Sequence, residues 1–368
     1  MELATFASKY ADFYAPSYAV RLGRDDLERD LLVAVSQIDV DMVLGATSRF
    51  SFTITNSYSH KLHAFKTGRG DDVLKLLSFG AEVEVCIGYG DAKSTPTAVQ
   101  GMITEITTNF PDGGAPELSV SGYDHGFPLT IGKNTRTWSK SRDSDAAREI
   151  ASFNNLNAQI ETTKEQHAQI EQNQESDWEF LKKLADRNHF ELYVDERKTL
   201  HFAPPNDKAT AIVRLAYGQG LVSFKPEANL AGQIAAVEVY GWNPKTKEAI
   251  VGRASAGEES GLTGQSAGQR LNAFVRDPKK RPTLRLRQPV FTQAEADQRA
   301  KAALNERAKQ FLTGEGEAIG LPEVRPDRNV ALDNLGAPFS KTYYIQQATH
   351  KIDASGYRTR FKVKETGL

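Results

Sequence analysis

Alternating apolar and polar positions run through the first 125 or so residues. In SRFSFTIT, Phe50, Phe52 and Ile54 alternate with polar neighbours, which predicts a strand with one buried face. AEVEVCIGYG sets Val83, Val85 and Ile87 on one face and runs into Gly88-Tyr89-Gly90-Asp91, a turn signal. AVQGMITEITTNF, the turn PDGGAP and ELSVSGYD follow. Strands joined by short Gly, Pro and Asp turns predict an antiparallel sandwich or barrel. One short helix, DDVLKLLSFG, is expected among them.

The period changes near residue 131. RDSDAAREIASFNN reads as helix and LNAQIE as strand. In QESDWEFLKKLADRNHFELYVDERKTLHF, Ser176 and Glu179 have the spacing of a capping box, each side chain satisfying the other's free backbone N–H. Trp178, Leu181, Leu184 and Ala185 then share one helical face. Asn188 stands where the helix should end, in the left-handed conformation that asparagine tolerates. Phe190, Leu192 and Val194 alternate with polar residues, DERK turns, and Leu200 and Phe202 return. This is a capped helix and a hairpin. Ser176, Trp178, Glu179 and Leu181 are therefore expected to be structural.

From residue 206, AIVRLAY, LVSFKP, GQIAAVEVYGW and RPTLRLRQPVF are strand candidates. Residues 243–275, rich in Ala, Gly, Ser and Glu, read as a long mobile loop. A helix is expected over 292–313: Thr292 and Glu295 as its capping box, Ala296, Ala300, Ala303, Leu304, Ala308 and Phe311 as its stripe, and Gly314 as its stop. Strands close the pattern. In YRTRFKVK, Tyr357, Thr359, Phe361 and Val363 face one way, and Arg358, Arg360, Lys362 and Lys364 the other.

Length and composition narrow the class. The 368 residues suit two or three domains, and 39% apolar with 25% charged residues can bury a core. A formal net charge of −1 gives no global attraction to nucleic acid or membrane. The single cysteine, Cys86, lies in an apolar run and reads as a small buried hydrophobe. MELATFASKYADFY has no basic stretch leading into an apolar one, and no window holds the roughly 18 apolar residues of a membrane span. Manufacture and assembly in the reducing cytoplasm are expected, without membrane insertion.

Candidate chemistry is sparse. Glu175 and Asp177, two apart at a helix start, point about 200° apart, which suits capping better than two carboxylates converging on a glycosidic bond. His189 and His201 lack metal-ligand spacing. No phosphate loop, GxSxG elbow or HExxH occurs. The residues give no catalytic, cofactor or metal site, and the chain reads as a non-enzyme. The cationic row Arg358, Arg360, Lys362 and Lys364 is the interface candidate, against a solvated face. RDPKKRPTLRLR is basic without interleaved aromatics. A cell-wall hydrolase using Glu175 and Asp177, and a nucleic-acid-binding module using the basic strand, remain the alternatives.

Four stretches carry a resemblance. ESDWEFLKKLADRNHFELYVDERKTLHF resembles the signature segment of the phage late control D family, baseplate hubs of contractile tails that include the hub part of valine-glycine repeat type VI spike proteins. QGMITEITTNFPDGGAPELSVSGYD, VEVYGWNPKTKEAIVG and the stretch from GEGEAIGLPEV to GYRTRFKV match in the same order. Asn188-His189 stands where many members carry a glycine, and GWNP replaces GWDP. The resemblance implies a β-rich α+β fold of two tube-like antiparallel β-barrels with α+β insertions. Placed on this chain, these are a first barrel at 1–130, an insertion at 131–205 and a second barrel at 206–368. It further implies a homotrimeric adaptor between a six-fold inner tube and a three-fold spike, in the baseplate of a phage or a phage-like injection particle. The implied partners are a separate spike protein, the tube protein, other baseplate proteins, and cargo or a tape-measure protein in the lumen. No cofactor is implied.

Overall fold

The computed structural model describes residues 2–10, 13–92, 95–243, 246–260 and 264–368. A short helix α1 (Leu3–Lys9) leads into β1 (Pro16–Leu22), β2 (Asp25–Asp26), β3 (Ala34–Val43) and β4 (Arg49–Thr55). A flap of β5 (Tyr58–Ser59), β6 (Ala64–Phe65) and α2 (Val73–Leu76) precedes β7 (Glu82–Tyr89), β8 (Thr97–Asn109) and β9 (Glu117–Asp124). The middle block holds β10 (Asn134–Arg142), α3 (Asp143–Phe153), β11 (Asn157–Ile160), β12 (Gln166–Glu175), α4 (Asp177–Asn188), β13 (Glu191–Val194) and β14 (Thr199–Ala203). Next come β15 (Val213–Tyr217), β16 (Gly220–Ala228), β17 (Ala236–Asn243), β18 (Glu248–Ser255), α5 (Ala267–Phe274), β19 (Thr283–Arg287) and α6 (Gln293–Ala308). Strands β20 (Leu312–Ile319), β21 (Asn329–Asp333), β22 (Lys341–Asp353) and β23 (Gly356–Glu365) follow.

Thirteen strands join in one sheet, ordered β2-β1-β7-β8-β9-β4-β3-β22-β21-β15-β16-β20-β23. A further β22–β23 pairing closes the last six into a ring. One edge of β22 serves two neighbours: Lys341–Tyr344 pair with β21, and Gln347–Ile352 pair with β3. The two halves of the chain thus meet as one sheet and bury one core, from Phe50, Phe52 and Val85 to Leu332, Tyr343 and Phe361. The expected β-rich α+β architecture holds. The ring is not wholly antiparallel, because β15 runs parallel to β16 and β21.

Two satellite units hang from this sheet, each with its own core. In the first, α3 and α4 pack Ala147, Ile150, Phe180, Leu181 and Leu184 against β13 and β14. In the second, Val237 and Val239 of β17 and Ile250 of β18 pack on Ala296, Ala300 and Leu304 of α6.

Several local expectations are corrected. Of residues 243–275, Pro244, Lys245 and 261–263 lie outside the described residues; the rest hold a strand, β18, and a helix, α5, rather than one long loop. Their small residues serve packing: a Cβ on Gly252 would sit 2.1 Å from the Ala296 carbonyl carbon. Helix α6 ends at Ala308, not 313, and Gly314 lies inside β20 against the Phe224 ring. Thr292 accepts from the Glu295 N–H, but the Glu295 carboxylate caps Phe291 N instead of closing the box. Tyr89 is no turn residue; it ends β7, buried, and donates to the Gly320 carbonyl at 2.9 Å. The polar ribbon β10–β12, whose NTRTWSKSR and QHAQIEQNQE give almost no apolar alternation, was not expected; only Trp138 and Ile170 are buried hydrophobics on it.

Replacing Gly252 with alanine should force β18 from α6 and cost about 1–3 kcal/mol of stability. Thermal unfolding measures it, and an unchanged midpoint would refute this packing account.

Candidate functional site

The capped helix is as expected. Ser176 Oγ accepts from Glu179 N at 3.2 Å, and the Glu179 carboxylate accepts from Ser176 N at 2.9 Å. Leu181 is fully buried and Trp178 nearly so. The end differs: Asn188 is the last helical residue and His189 takes the left-handed conformation, with φ 57°. The Asn188 amide is otherwise engaged, donating to Asp143 at 2.6 Å and to the Leu184 carbonyl at 2.8 Å. Burial, reinforced by the Lys309 charge, lowers the His189 pKa to about 4.

The acids of this segment are held by neighbours. Asp177 accepts from Arg136 (2.7 Å), Gln172 (2.8 Å) and Asn134 (2.9 Å). Glu175 pairs with Lys183 at 2.9 Å. His201 bonds Asp195 at 2.9 Å and stacks on Tyr193. Cys86 is fully buried, and burial pushes its thiol up to about 11. Among the described residues no cluster of His, Cys, Asp and Glu could hold a metal.

The middle block is tied to the main sheet by Tyr193–Asp327, Glu196–Arg325 and Lys198–Glu82 contacts and by two bonds at one glycine. Gly45, with φ +74°, donates its N–H to Leu192 O at 2.8 Å and accepts from Trp178 Nε1 at 3.3 Å. Beside it, buried Asp124 accepts from Ser48 N (2.7 Å) and Gly126 N (2.8 Å). Burial raises its pKa to about 6 against those bonds.

The feature that extends furthest is the polar face of the main sheet. In β23, Tyr357, Thr359, Phe361 and Val363 are buried, while Arg358, Arg360 and Lys362 are exposed. Lys364 departs from the row: it is partly buried beside Lys309 and Glu191, and burial lowers its pKa. Neighbouring strands set the rest in register. One row runs Ser223–Glu317–Arg360–Thr349–Asp41–Arg49 across six strands. The next runs Ile319–Arg358–Lys351–Asp39–Ser51–Ser121–Glu105 across seven. A third runs Lys225–Glu315–Lys362–Gln347.

Charges on these rows compensate. Arg360 pairs with Glu317 at 2.8 Å, Lys362 with Glu315 at 3.4 Å, and Arg49 with Glu105 at 3.0 Å. Thr349 and Gln347 donate to Asp41 at 2.7 and 2.8 Å. Arg358 has no ion pair among the described residues. The rows bring six cations (Arg49, Lys225, Lys351, Arg358, Arg360, Lys362) beside five carboxylates (Asp39, Asp41, Glu105, Glu315, Glu317). The isolated cationic strand is thus one rung of a nearly neutral hydrophilic face. Sequence reasoning missed the counter-charges because they come from β3, β8 and β20, far away in the chain.

Comparison with known proteins follows the fold. A 43 kDa tail protein of prophage MuSo2 from Shewanella oneidensis superposes with a TM-score of 0.72 at 14% identity, covering 96% of this chain and 99% of that one. A tail protein from Neisseria meningitidis MC58 gives 0.69 at 15% identity, covering 96% and 97%. An E. coli component of the type VI secretion system gives 0.56 at 11% identity, covering 94% and 76%. The chain therefore has the fold of phage tail proteins. No curated protein matches it in sequence. One family model, described as the Alg8 N-terminal domain, matches residues 33–354. It is not the late control D model, so the tail-type fold, the coarser part of that resemblance, is what holds.

Two expectations test the middle block. Trp178→Ala should cost about 3–5 kcal/mol and Ser176→Ala about 1 kcal/mol, both seen in denaturant unfolding; a fully stable Trp178→Ala protein would contradict the pinning at Gly45. The second concerns Asp143 at the start of α3. Burial alone would raise its pKa, but hydrogen bonds from His167, Arg187 and Asn188 and the Arg187 charge bring it to about 2. A depressed folded-state value means stability present above about pH 4 and lost as pH falls through 2, on the order of 2 kcal/mol. Asp143→Asn should flatten the stability profile between pH 4 and 2, measured by urea unfolding.

Proposed function

The chain belongs to the Alg8 N-terminal domain family, and from the fold it shares with phage tail proteins we propose that it is a structural hub of a phage tail or phage-like injection particle. Three copies form a ring. Each contributes the closed six-stranded barrel and the seven N-terminal strands that continue its sheet, so three chains supply six sheet units to meet a six-fold tube above and a three-fold spike below. The spike, the tube protein and other baseplate proteins are its partners, and the ring assembles in the cytoplasm before entering the particle. The role is mechanical, not catalytic.

The observation that carries this reading is the charge-compensated face. A face spanning both halves of the chain, hydrophilic and close to neutral, suits the wall of a conduit. Arg and Lys side chains already paired with Glu and Asp offer a passing polypeptide or nucleic acid few free charges to hold, and the rows offer little apolar surface for adhesion. Lumenal cargo or a tape-measure protein would slide along such a wall. Arg358 and Lys225, neither with an ion pair among the described residues, are the positions where the wall retains a positive bias.

Light scattering of the protein mixed with its spike partner should give a trimer; a persistent monomer, or a closed hexamer in the particle, would overturn the ring. The double change Arg358→Glu with Arg360→Glu takes the face from six cations and five acids to four and seven. Surface pairs contribute about 0–1 kcal/mol each, so the isolated protein should stay folded with its melting midpoint shifted by a few degrees at most. Particle assembly or cargo loading should fall. Parent-like assembly and loading at low and moderate salt would show the face to be merely solvated.

A further inference from the structure

The satellite sheet β18-β17-β19 has two edges, and they are treated differently. The outer edge of β18 is sealed by α6. Gln293 Nε2 donates to the Val251 carbonyl at 2.9 Å, and the Asp297 carboxylate accepts from Arg253 N at 3.2 Å. Among the described residues no strand pairs with the outer side of β19. The parallel β17–β19 ladder fixes which of its groups are free. Gln288 N donates to Tyr240 O, and Pro282 O accepts from Ala235 N, so the even-numbered residues bond inward. The N–H and C=O groups of Thr283, Arg285 and Arg287 therefore point outward, as alternate residues of a parallel strand must.

Both faces beside this edge have a defined chemistry. Helix α6 packs beneath β18 and β17. Beneath β19, Leu284 and Leu286 are only half-buried, at the floor of a 610 Å³ groove between α6 and α4. Ala302 and Ala303 line the same groove; of its five cations, Lys183, Arg187 and Arg299 are paired with Glu175, Asp143 and Glu295, and Lys182 and Arg307 stand beside the acids Glu179, Asp186 and Glu306. On the upper face the rows read Arg253–Glu238–Arg285 and Val251–Tyr240–Arg287. Glu238 contacts both Arg253 and Arg285, which are 73% and 69% exposed. Arg287 is exposed and has no ion pair among the described residues.

We propose that the outer edge of β19 is a docking site for an extended segment of a partner protein, alternating apolar and acidic residues, which joins the satellite sheet as a fourth strand. An unpaired edge is a template for backbone pairing. Register alternation places every second side chain of the added strand below, against Leu284, Leu286 and Ala303. The others lie above, beside Arg285 and Arg287, where carboxylates complement the cations. The basic run around β19 and the aromatic Tyr240, which sequence spacing kept apart, belong to one surface. This site is independent of the proposed conduit wall, which lies on a different sheet.

The test uses the full chain and fluorescence anisotropy with three labelled probes: a peptide alternating valine and glutamate, its valine–lysine counterpart, and single-stranded oligo-dT. The glutamate peptide should bind, and its affinity should fall roughly tenfold from low to high salt as screening grows. Arg285→Glu with Arg287→Glu should reverse the preference toward the lysine peptide. Arg285→Pro removes an outward N–H while sparing the β17 ladder, so it should abolish binding, whereas Arg285→Ala should weaken it only several-fold. The charge reversal lies on exposed side chains and serves if the proline variant does not fold. No binding of the glutamate peptide, equal binding of the lysine peptide, tighter binding of oligo-dT, or insensitivity to both variants would overturn the proposal. Displacement of the peptide by self-association at raised protein concentration would assign the edge to a second copy and also overturn it.

Discussion

The seam between β3 and β22 is the constraint on which the rest depends. Six register pairs, from Gln347–Val43 to Ile352–Ile38, join strands from opposite ends of the chain. The period of a strand is two, so a slip of one residue would turn every side chain to the wrong face. Magnitudes decide what sets the register. Burying Ile38, Val40, Ala348 and Ile352 is worth roughly 1.5–3 kcal/mol for each large side chain. A surface ion pair on the other face contributes about 0–1 kcal/mol. The apolar face therefore dictates the register, and the charge rows inherit it.

This inheritance explains why the polar face is compensated across strands instead of along them. Along the polar face of β23 the charges are all of one sign; along β20 Glu315 and Glu317 repeat the other sign, and β3 carries Asp39 and Asp41. Each strand alone would repel itself. Side by side, Glu317 meets Arg360 and Asp39 meets Lys351, although Arg358 stands opposite Lys351 with the same sign. The arrangement favours the native neighbour over an identical strand, since like-charged strands placed opposite one another are disfavoured.

How much of this was legible follows from the range of each interaction. Short-range patterns could be read. Strand β4, the β13–β14 hairpin, the two-faced β23 and the Ser176–Glu179 box lie within reach of a few residues, and each is where alternation or capping chemistry placed it. What failed depends on distant partners. The closure of six strands into a ring, the parallel β15–β21 pairing and the acids facing Arg360 and Lys362 involve residues tens to hundreds of positions apart. The β10–β12 ribbon had no apolar period to show, because one edge-on pair of polar strands buries little more than Trp138 and Ile170. Helix α6 is shorter than its apolar stripe because Phe311, which continues the stripe, belongs to the core of the main sheet. Propensity favours Asn188 for the left-handed turn, but its amide is used on Asp143, and His189 takes the turn instead.

The same seam has a consequence for the chain while it is being made. Strand β3 is complete once residue 43 has been added, but its partner begins at Gln347. At about 5–20 residues per second, the ribosome needs roughly 15–60 s to supply it. During that interval a nascent strand with apolar Ile38, Val40 and Met42 has one edge satisfied by β4 and the other bare. Contacts of such long sequence separation also form slowly. The N-terminal half must therefore wait, partly assembled, for the last strands to arrive, and its exposed edge is where mispairing with another growing chain would begin.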